Sequence, residues 1–140
     1  MIELVVGLRG SGKTKMFFDK VNAASENSKG DVVCVEYGKK LTFNVNMHVR
    51  LIDVVDYGIS NAEELYGFIC GIISSNYDIT EIYIDSALKM CGNNVDEFER
   101  FILRLADRTD KYGIKCFITS SIAVEDLPVS LSGYLLKSEN

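Results

Sequence analysis

Short apolar runs alternate along the chain with longer segments in which apolar residues recur at helical spacing. The short runs have the length and the β-branched content of buried strands. The predicted strands are Ile2–Val6, Val32–Glu36, Leu51–Val55, Glu81–Asp85 and Ile114–Thr119. Strands separated by helix-sized segments favour right-handed crossovers and a parallel sheet with helices on both faces. The pattern therefore predicts an α/β protein, a three-layer α/β/α fold with a mainly parallel sheet, in a single domain over residues 1–140.

Two of the intervening helices have recognisable ends. One is predicted to begin at Ser60, where Glu63 completes a capping box, and to run to about residue 74. Another is predicted to be capped near Asn94, with Glu97 as the acid of its first turn, and to continue to about residue 112. Gly113 is expected to end it, since glycine favours the left-handed conformation that closes helices.

Two stretches allow more than one structure. Between residues 37 and 49, apolar residues alternate with polar ones, which suits an edge strand or an extended loop. These apolar residues are Leu41, Phe43, Val45, Met47 and Val49. The segment Val129–Leu136, which follows the single proline, suits a short helix or a strand.

Composition and charge restrict the class of protein. A hydrophobic fraction of 47% fits a compact globular chain rather than a disordered one. The net charge of −5 disfavours a sequence-independent nucleic-acid binder, which needs a basic face, although a local basic patch is compatible with it. We therefore expect nucleic acid not to be the partner.

The chain has no pattern typical of export or membrane insertion. Met1 leads directly into a predicted strand, and no apolar run approaches the roughly 20 residues that span a bilayer. The four cysteines, at positions 34, 70, 91 and 116, lack C-x-x-C spacing and lie mostly within apolar runs. We expect reduced core cysteines rather than disulfides or zinc ligands, and a cytoplasmic protein without membrane insertion.

The most specific motif follows the first predicted strand. It reads Gly7-Leu8-Arg9-Gly10-Ser11-Gly12-Lys13-Thr14, which matches the Walker A pattern G-x-x-x-x-G-K-[ST]. After it, Lys15–Val21 spaces its apolar residues like a helix. This strand, loop and helix context is the one that the motif requires, and a chance glycine turn does not account for it.

The residue types of this loop explain its expected chemistry. Glycines allow consecutive backbone N–H groups to converge on phosphate oxygens, and the following helix adds the partial positive charge of its N-terminus. Lys13 is expected to reach the β- and γ-phosphates, and Thr14 to place its hydroxyl on Mg²⁺. The predicted nucleotide-binding residues are Gly7, Gly10, Ser11, Gly12, Lys13 and Thr14.

A loop of this kind needs an acid near the metal, at the end of a buried strand. Asp85 ends the predicted strand Glu81–Asp85 and is expected to hold Mg²⁺ through water. The alternative role for Asp85 is to cap a turn. Asp53 also lies in an apolar run, but two valines follow it, which places it inside its strand. Asp85 is therefore the predicted metal ligand.

These residues resemble the RecA-like branch of P-loop ATPases. In that branch the strand after the first helix ends in the catalytic glutamate, the Walker B strand reads apolar-apolar-Asp-Ser, and further strands intervene between Walker A and Walker B. This chain has Val32–Glu36, Ile82–Ser86 and an intervening strand and helix. The resemblance implies that Glu36 is catalytic and that Ser120, at the end of the last strong strand, senses the γ-phosphate.

The chain is also similar to short bacterial P-loop proteins that are often labelled twitching-motility ATPases. The similarity covers nearly the whole chain and includes the glycine loop, the Tyr-Gly-Ile-Ser stretch at 57–60 and the strand around Asp85. This second resemblance implies nucleotide binding.

Two further requirements of hydrolysis have open candidates. Ser86 follows Asp85, so Glu36 is the candidate carboxylate that activates water, and its alternative role is a surface acid at the start of a loop. Arg100, Arg104 and Arg108 form one helical stripe. This stripe suits a salt-bridged solvent face, or an arginine finger donated to a neighbouring subunit.

Together these features predict a Mg²⁺-dependent ATP-binding protein with slow ATPase activity, in which Lys13 and Glu36 are catalytic and Thr14 and Asp85 hold the metal. The chain lacks a guanine-reading Asn-Lys-x-Asp motif, which favours ATP over GTP. One alternative is a non-catalytic nucleotide switch that presents a surface to a protein partner or a second copy. A small nucleoside or nucleotide kinase ranks last, because an arginine-bearing lid segment is missing from the sequence.

Overall fold

A computed structural model describes residues 1–40 and 45–136 of the chain. Its main elements in chain order are β1 (Ile2–Val6), α1 (Lys13–Asn27), β2 (Asp31–Glu36), β3 (Arg50–Asp53), α2 (Ala62–Ser75), β4 (Ile79–Ile84), α3 (Ala87–Met90), α4 (Val95–Tyr112) and β5 (Lys115–Ser120). Short 3₁₀ helices cover Val54–Tyr57, Val124–Asp126 and Val129–Tyr134. The five predicted strands are thus confirmed, although β3 ends at Asp53 rather than at Val55.

The strands form one parallel sheet in the order β1-β5-β4-β2-β3. The strand that comes last in sequence, β5, therefore lies between β1 and β4. Because the strands are parallel, all of their carboxyl ends lie at the same edge of the sheet. The glycine loop (Gly7–Thr14), Glu36 and Asp85 are all placed at this edge by the strands that precede them.

Helices cover both faces of the sheet. On one face, Phe17 and Val21 of α1 form a buried cluster with alternate strand residues such as Cys34. On the other face, residues of α2 and α4, including Leu65 and Phe98, form a larger buried cluster. Neighbouring residues of one strand face opposite helices, since side chains alternate along a strand. The prediction of an α/β fold with three layers is confirmed.

The location and the free state of the cysteines agree with the expectation of reduced cysteines in the core. Cys34, Cys91 and Cys116 are buried, Cys70 is half-buried, and all four are free thiols. Burial raises the pKa of the Cys91 and Cys116 thiols to about 12, which makes both poor nucleophiles.

Across residues 1–40 and 45–136, the helices are all too short or too polar to cross a membrane.

The N-terminus of α2 lies one residue later than predicted. Asn61 is the N-cap, and its Oδ1 accepts a hydrogen bond of 2.9 Å from the Glu64 backbone N–H. The Glu64 carboxylate in turn accepts hydrogen bonds from the backbone N–H and the hydroxyl of Ser60, at 2.9 and 3.0 Å. Glu63 instead pairs with Arg104 of α4 at 3.0 Å. The predicted Ser60–Glu63 capping box is therefore wrong, because Asn61 and Glu64 take those roles.

The ends of α4 are as predicted. Asn94 Oδ1 accepts from the Glu97 backbone N–H at 3.1 Å. Gly113 closes the helix in the left-handed conformation, with φ of 66°, and its N–H donates to carbonyls of the last turn. Asn is among the residues preferred at a helix N-cap, and Gly is preferred just after the last helical turn, so both ends could be predicted from the sequence.

The structure also shows the conformation of most residues in the two stretches for which the sequence allowed more than one structure. Leu41 and Phe43 lie outside the described residues, while Val45, Met47 and Val49 lie in bends and turns rather than in a strand. The segment after the proline combines both predicted alternatives. It forms the 3₁₀ helix Val129–Tyr134, and then Leu135 makes a parallel bridge to Leu4 at the outer edge of β1.

The corrected cap gives a stability prediction. We expect Asn61→Ala to lower the free energy of unfolding by about 1 kcal/mol, because the Glu64 N–H loses its side-chain acceptor. Glu63→Ala is the control, since it removes only an exposed ion pair with a value of about 0–1 kcal/mol. Urea denaturation of both variants measures the difference. A larger loss for Glu63→Ala than for Asn61→Ala would contradict the cap seen here.

Candidate functional site

The glycine loop wraps around the N-terminus of α1. Gly10 and Gly12 both have φ of 87°, a left-handed conformation that residues with a Cβ rarely adopt. Gly12 is the N-cap residue of α1 and has no side chain that could cover the helix end. At Gly7, an added Cβ would lie only 2.6 Å from Ser11 Oγ. The loop therefore needs glycine at these positions, and it leaves the N–H groups of the first helical turn open to an anion.

Lys13 folds back over the loop. Its ammonium donates to Gly7 O at 2.5 Å, Leu8 O at 3.1 Å and Ser11 Oγ at 3.2 Å. Partial burial lowers the pKa of the Lys13 ammonium from its ordinary value, and the negative charge of Asp85 opposes this shift. The ammonium is thus held by neutral oxygens, and an anion in the loop would be a stronger partner for it.

Asp85 directly follows β4 and is fixed from three directions. Its backbone N–H donates to Val35 O at 3.0 Å. Its Oδ1 accepts from the Thr119 hydroxyl at 2.7 Å, and its Oδ2 accepts from the Ser86 hydroxyl at 3.4 Å. The Thr119 oxygen also accepts from the Ser86 backbone N–H at 3.1 Å. The carboxylate is half-buried and held in place by residues of two strands and of the turn that follows.

One cleft of about 640 Å³ contains the glycine loop and the acid. It lies at the carboxyl edge of the sheet. The predicted site residues that line it are Gly10, Ser11, Gly12, Lys13, Thr14, Asp85 and Ser120. Gly7 contributes through its carbonyl, which accepts from Lys13. Residues far apart in sequence are therefore brought together as the sequence analysis expected, with Lys13 and Asp85 close enough to influence each other's charge.

Thr119 contacts the acid, whereas the predicted Ser120 points to the other face of β5. The Ser120 hydroxyl is fully buried and accepts from the Leu88 backbone N–H of α3 at 3.2 Å. Its role as a γ-phosphate sensor stays a prediction. Sequence reasoning missed Thr119, although a signal was present. Phe117 and Thr119 share one face of β5 by alternation, and Phe117 packs under α1, the helix that carries the loop.

Glu36 ends β2 as predicted but is deeply buried, with only 2% of its surface exposed. It is therefore not the surface acid that the sequence left as an alternative. Burial, Glu36 and Asp85 together, with burial the largest cause, raise the pKa of the Cys34 thiol well above its ordinary value. Among the described residues that line the cleft, Glu36 is absent. The structure thus places Glu36 at the expected edge of the sheet, but buried and outside the described lining of the cleft.

Asp53 has a structural role. It is the last residue of β3, not an interior one as predicted, and its Oδ1 accepts from the Gly38 N–H at 2.9 Å and from the Val55 N–H at 3.0 Å. These bonds cap the following 3₁₀ helix and tie it to the loop after β2. Asp85 remains the better placed acid because it faces the glycine loop.

The arginine stripe of α4 is occupied by contacts within the chain. Arg104 pairs with Glu63 and lies 3.9 Å from the centre of the Tyr66 ring, and Arg108 donates to the Tyr66 hydroxyl at 3.2 Å. Arg100 lies 3.6 Å from Glu97. This arrangement agrees with the salt-bridged face rather than with a free finger.

No protein-family model matches the chain, and no curated protein matches it. Functional conclusions therefore depend on the site itself.

The hydrogen bonds of Thr119 give a second prediction. We expect Thr119→Val to lower the free energy of unfolding by about 1–3 kcal/mol, because Asp85 Oδ1 loses a donor and the Ser86 N–H loses its acceptor in a buried setting. Thr119→Ser keeps the hydroxyl and is the matched control, for which a smaller loss is expected. Chemical denaturation of both variants tests this, and equal losses would mean that the methyl group rather than the hydroxyl is important.

Proposed function

We propose that the chain is a Mg²⁺-dependent ATP-binding protein with slow ATPase activity and RecA-like architecture. One observation carries the proposal: the glycine loop and the N-terminus of α1 face Asp85 across a single cleft. A polyanion in this cleft would meet backbone N–H groups, a helix N-terminus and Lys13 on one side. A carboxylate on the other side suits a metal ion that accompanies the polyanion.

The order of the elements along the chain supports the RecA-like part of the proposal. β2, β3 and α2 come in sequence between β1, which precedes the glycine loop, and β4, which Asp85 follows. The resemblance of the sequence implies an intervening strand and helix of this kind. In the sheet, β5 lies between β1 and β4. The polar end of β5 supplies Thr119, which reaches Asp85.

In the proposed complex, the phosphates would replace the carbonyl contacts of Lys13. The ammonium now donates to Gly7 O, Leu8 O and Ser11 Oγ, and phosphate oxygens are stronger acceptors because they are charged. The lowered pKa of Lys13 would then rise, since a bound anion favours the charged ammonium. Lys13 therefore acts as a positioning cation for the β- and γ-phosphates.

The residues present fit a Mg²⁺ ion that arrives with the nucleotide. Mg²⁺ is usually held by one or two protein oxygens together with phosphate oxygens and water. Thr14 lies at the cleft and is exposed. Among the described residues, Asp85 Oδ2 has only a long hydrogen bond, from the Ser86 hydroxyl. When bound, the ion would neutralise charge on the transferred phosphoryl group. Thr14 and Asp85 would supply its protein contacts.

The burial of Glu36 favours a second candidate function, a non-catalytic nucleotide switch. A group that activates water must reach the water directly or through one intervening molecule. Glu36 is buried and is not among the described residues that line the cleft. A switch that binds ATP and presents a changed surface to a partner would not need a carboxylate that reaches the attacking water. Hydrolysis therefore requires Glu36 to activate water, whereas switching does not.

Binding measurements test the shared part of both functions. We expect Lys13→Ala to weaken Mg²⁺–ATP binding by about tenfold or more, because charge-assisted hydrogen bonds to phosphate are lost. Asp85→Asn should remove the gain in ATP affinity that Mg²⁺ provides, whereas metal-free binding should not weaken, because the variant removes a negative charge from the cleft. Lys15→Ala is the control, since that lysine pairs with Asp19 on the surface of α1. Calorimetric titration that finds equal ATP affinity in wild type and Lys13→Ala would contradict the proposal.

Phosphate release separates the ATPase from the switch. If Glu36 activates water, Glu36→Gln should lower the release rate by about a hundredfold or more while ATP affinity stays nearly constant. The matched control is Asp56→Asn, which alters an exposed carboxylate that pairs with Lys39. Tight ATP binding with no release from the wild type would favour the switch. Release that is unchanged in Glu36→Gln would exclude Glu36 as the base, and thermal unfolding of the variant would verify that it is folded.

A further inference from the structure

The cleft carries more positive charge than the glycine loop alone supplies. Among its described lining residues are four cationic side chains, those of Arg9, Lys13, Lys40 and Lys89, and one carboxylate, that of Asp85. The whole protein has a net charge of −5, so this excess is local. A cleft lined by one sign of charge concentrates the field within it and favours a polyanionic ligand.

The backbone of Lys89 is firmly anchored. It lies on α3, which begins directly after Asp85 and Ser86. The backbone N–H of the preceding residue, Leu88, donates to the buried hydroxyl of Ser120. The turn that carries α3 is also tied to Thr119, which holds Asp85. The backbone of Lys89 is thus fixed relative to the acid of the site.

The ammonium of Lys89 has only a weak partner. It lies 4.5 Å from the centre of the Tyr37 ring. Within residues 1–40 and 45–136, Lys89 makes no ion pair with a carboxylate, in contrast to Lys15 and Lys39. Lys89 is exposed, whereas Tyr37 is half-buried. A cation–π contact of an exposed ammonium is weak, so a charged phosphate would displace it readily. The side chain is therefore anchored at its base and available at its tip.

The sheet order places Lys89 opposite Lys13. The glycine loop follows β1, Asp85 follows β4, and Tyr37 follows β2, on the side of Asp85 away from the loop. An ammonium over Tyr37 therefore lies at the β2 side of the acid, whereas the glycine loop follows β1 on the other side. The last phosphate of a nucleotide held by the loop would extend toward this position, because Asp85 would hold the metal ion that neutralises the phosphate charge.

We propose that Lys89 is the second cation of the nucleotide site and binds the terminal phosphate from the side opposite Lys13. This inference rests on the proposed nucleotide-binding function. A single chain then supplies the positive charge that an arginine finger from another subunit would otherwise provide, and the α4 arginine stripe is not needed. This contact favours binding of a triphosphate over a diphosphate. If the nucleotide is hydrolysed, the same contact stabilises negative charge on the phosphoryl oxygens.

The test compares two nucleotides in three variants. Calorimetry with Mg²⁺ and either a non-hydrolysable ATP analogue or ADP measures the preference for triphosphate without requiring turnover. We expect Lys89→Ala to weaken binding of the ATP analogue by about tenfold and to change ADP binding by less than about twofold. Lys89→Arg should restore most of the preference because it keeps the charge. Lys111→Ala is the matched control, since Lys111 also lies over an aromatic ring, that of Tyr112.

The outcomes separate this inference from the proposed function. A wild type that binds neither nucleotide would refute both. A wild type that binds the ATP analogue, with Lys89→Ala unchanged or equally weakened for ADP, would overturn the role of Lys89 alone. A triphosphate preference that appears only at high protein concentration would also overturn it, because the second cation would then come from another copy. Thermal unfolding of Lys89→Ala checks that the exposed substitution leaves the fold intact.

Discussion

The parallel direction of all five strands is the constraint on which the rest of the molecule depends. It places every strand's carboxyl end at one edge and obliges each connection to cross a face of the sheet, which puts helices on both sides. Polar residues at the carboxyl ends of the strands therefore collect at this edge. They are satisfied by one another and by backbone N–H groups of the segment that follows β4. Thr119 bonds to Asp85 and Ser86, Ser120 bonds to Leu88, and among the described residues all buried side-chain polar atoms have partners.

Features that depend on local chemistry could be predicted from the sequence. The strands were visible as apolar runs, and the glycine loop as a motif whose left-handed glycines have few substitutes. The cap of α2 could not be fixed to the residue, because Ser60 and Asn61 are both good caps and Glu63 and Glu64 are both acids. In the folded protein, Glu63 pairs with Arg104 of α4, a tertiary contact that the local sequence does not show.

Other features were hidden because they depend on orientation within the sheet. Whether Thr119 or Ser120 faces the loop is decided by the side of β5 that α1 covers. The depth of Glu36 depends on the segments packed around the end of β2 rather than on its neighbours in sequence. The helix α3 has only four residues, too few for a periodic pattern. Net charge was similarly uninformative about the cleft, because an acidic average conceals a cationic lining.

The position of β1 has a consequence for how the protein is made. Among the described strands, β1 pairs only with β5, so Ile2 can meet its partner Cys116 only after all of the intervening chain has been synthesised. Contacts between such distant segments form slowly and late in folding. Until β5 is in place, the glycine loop, which directly follows β1, would lack the strand pairing that supports it in the folded protein. The cleft, which the loop shares with Asp85 and the end of β5, would then be complete only when β5 has docked.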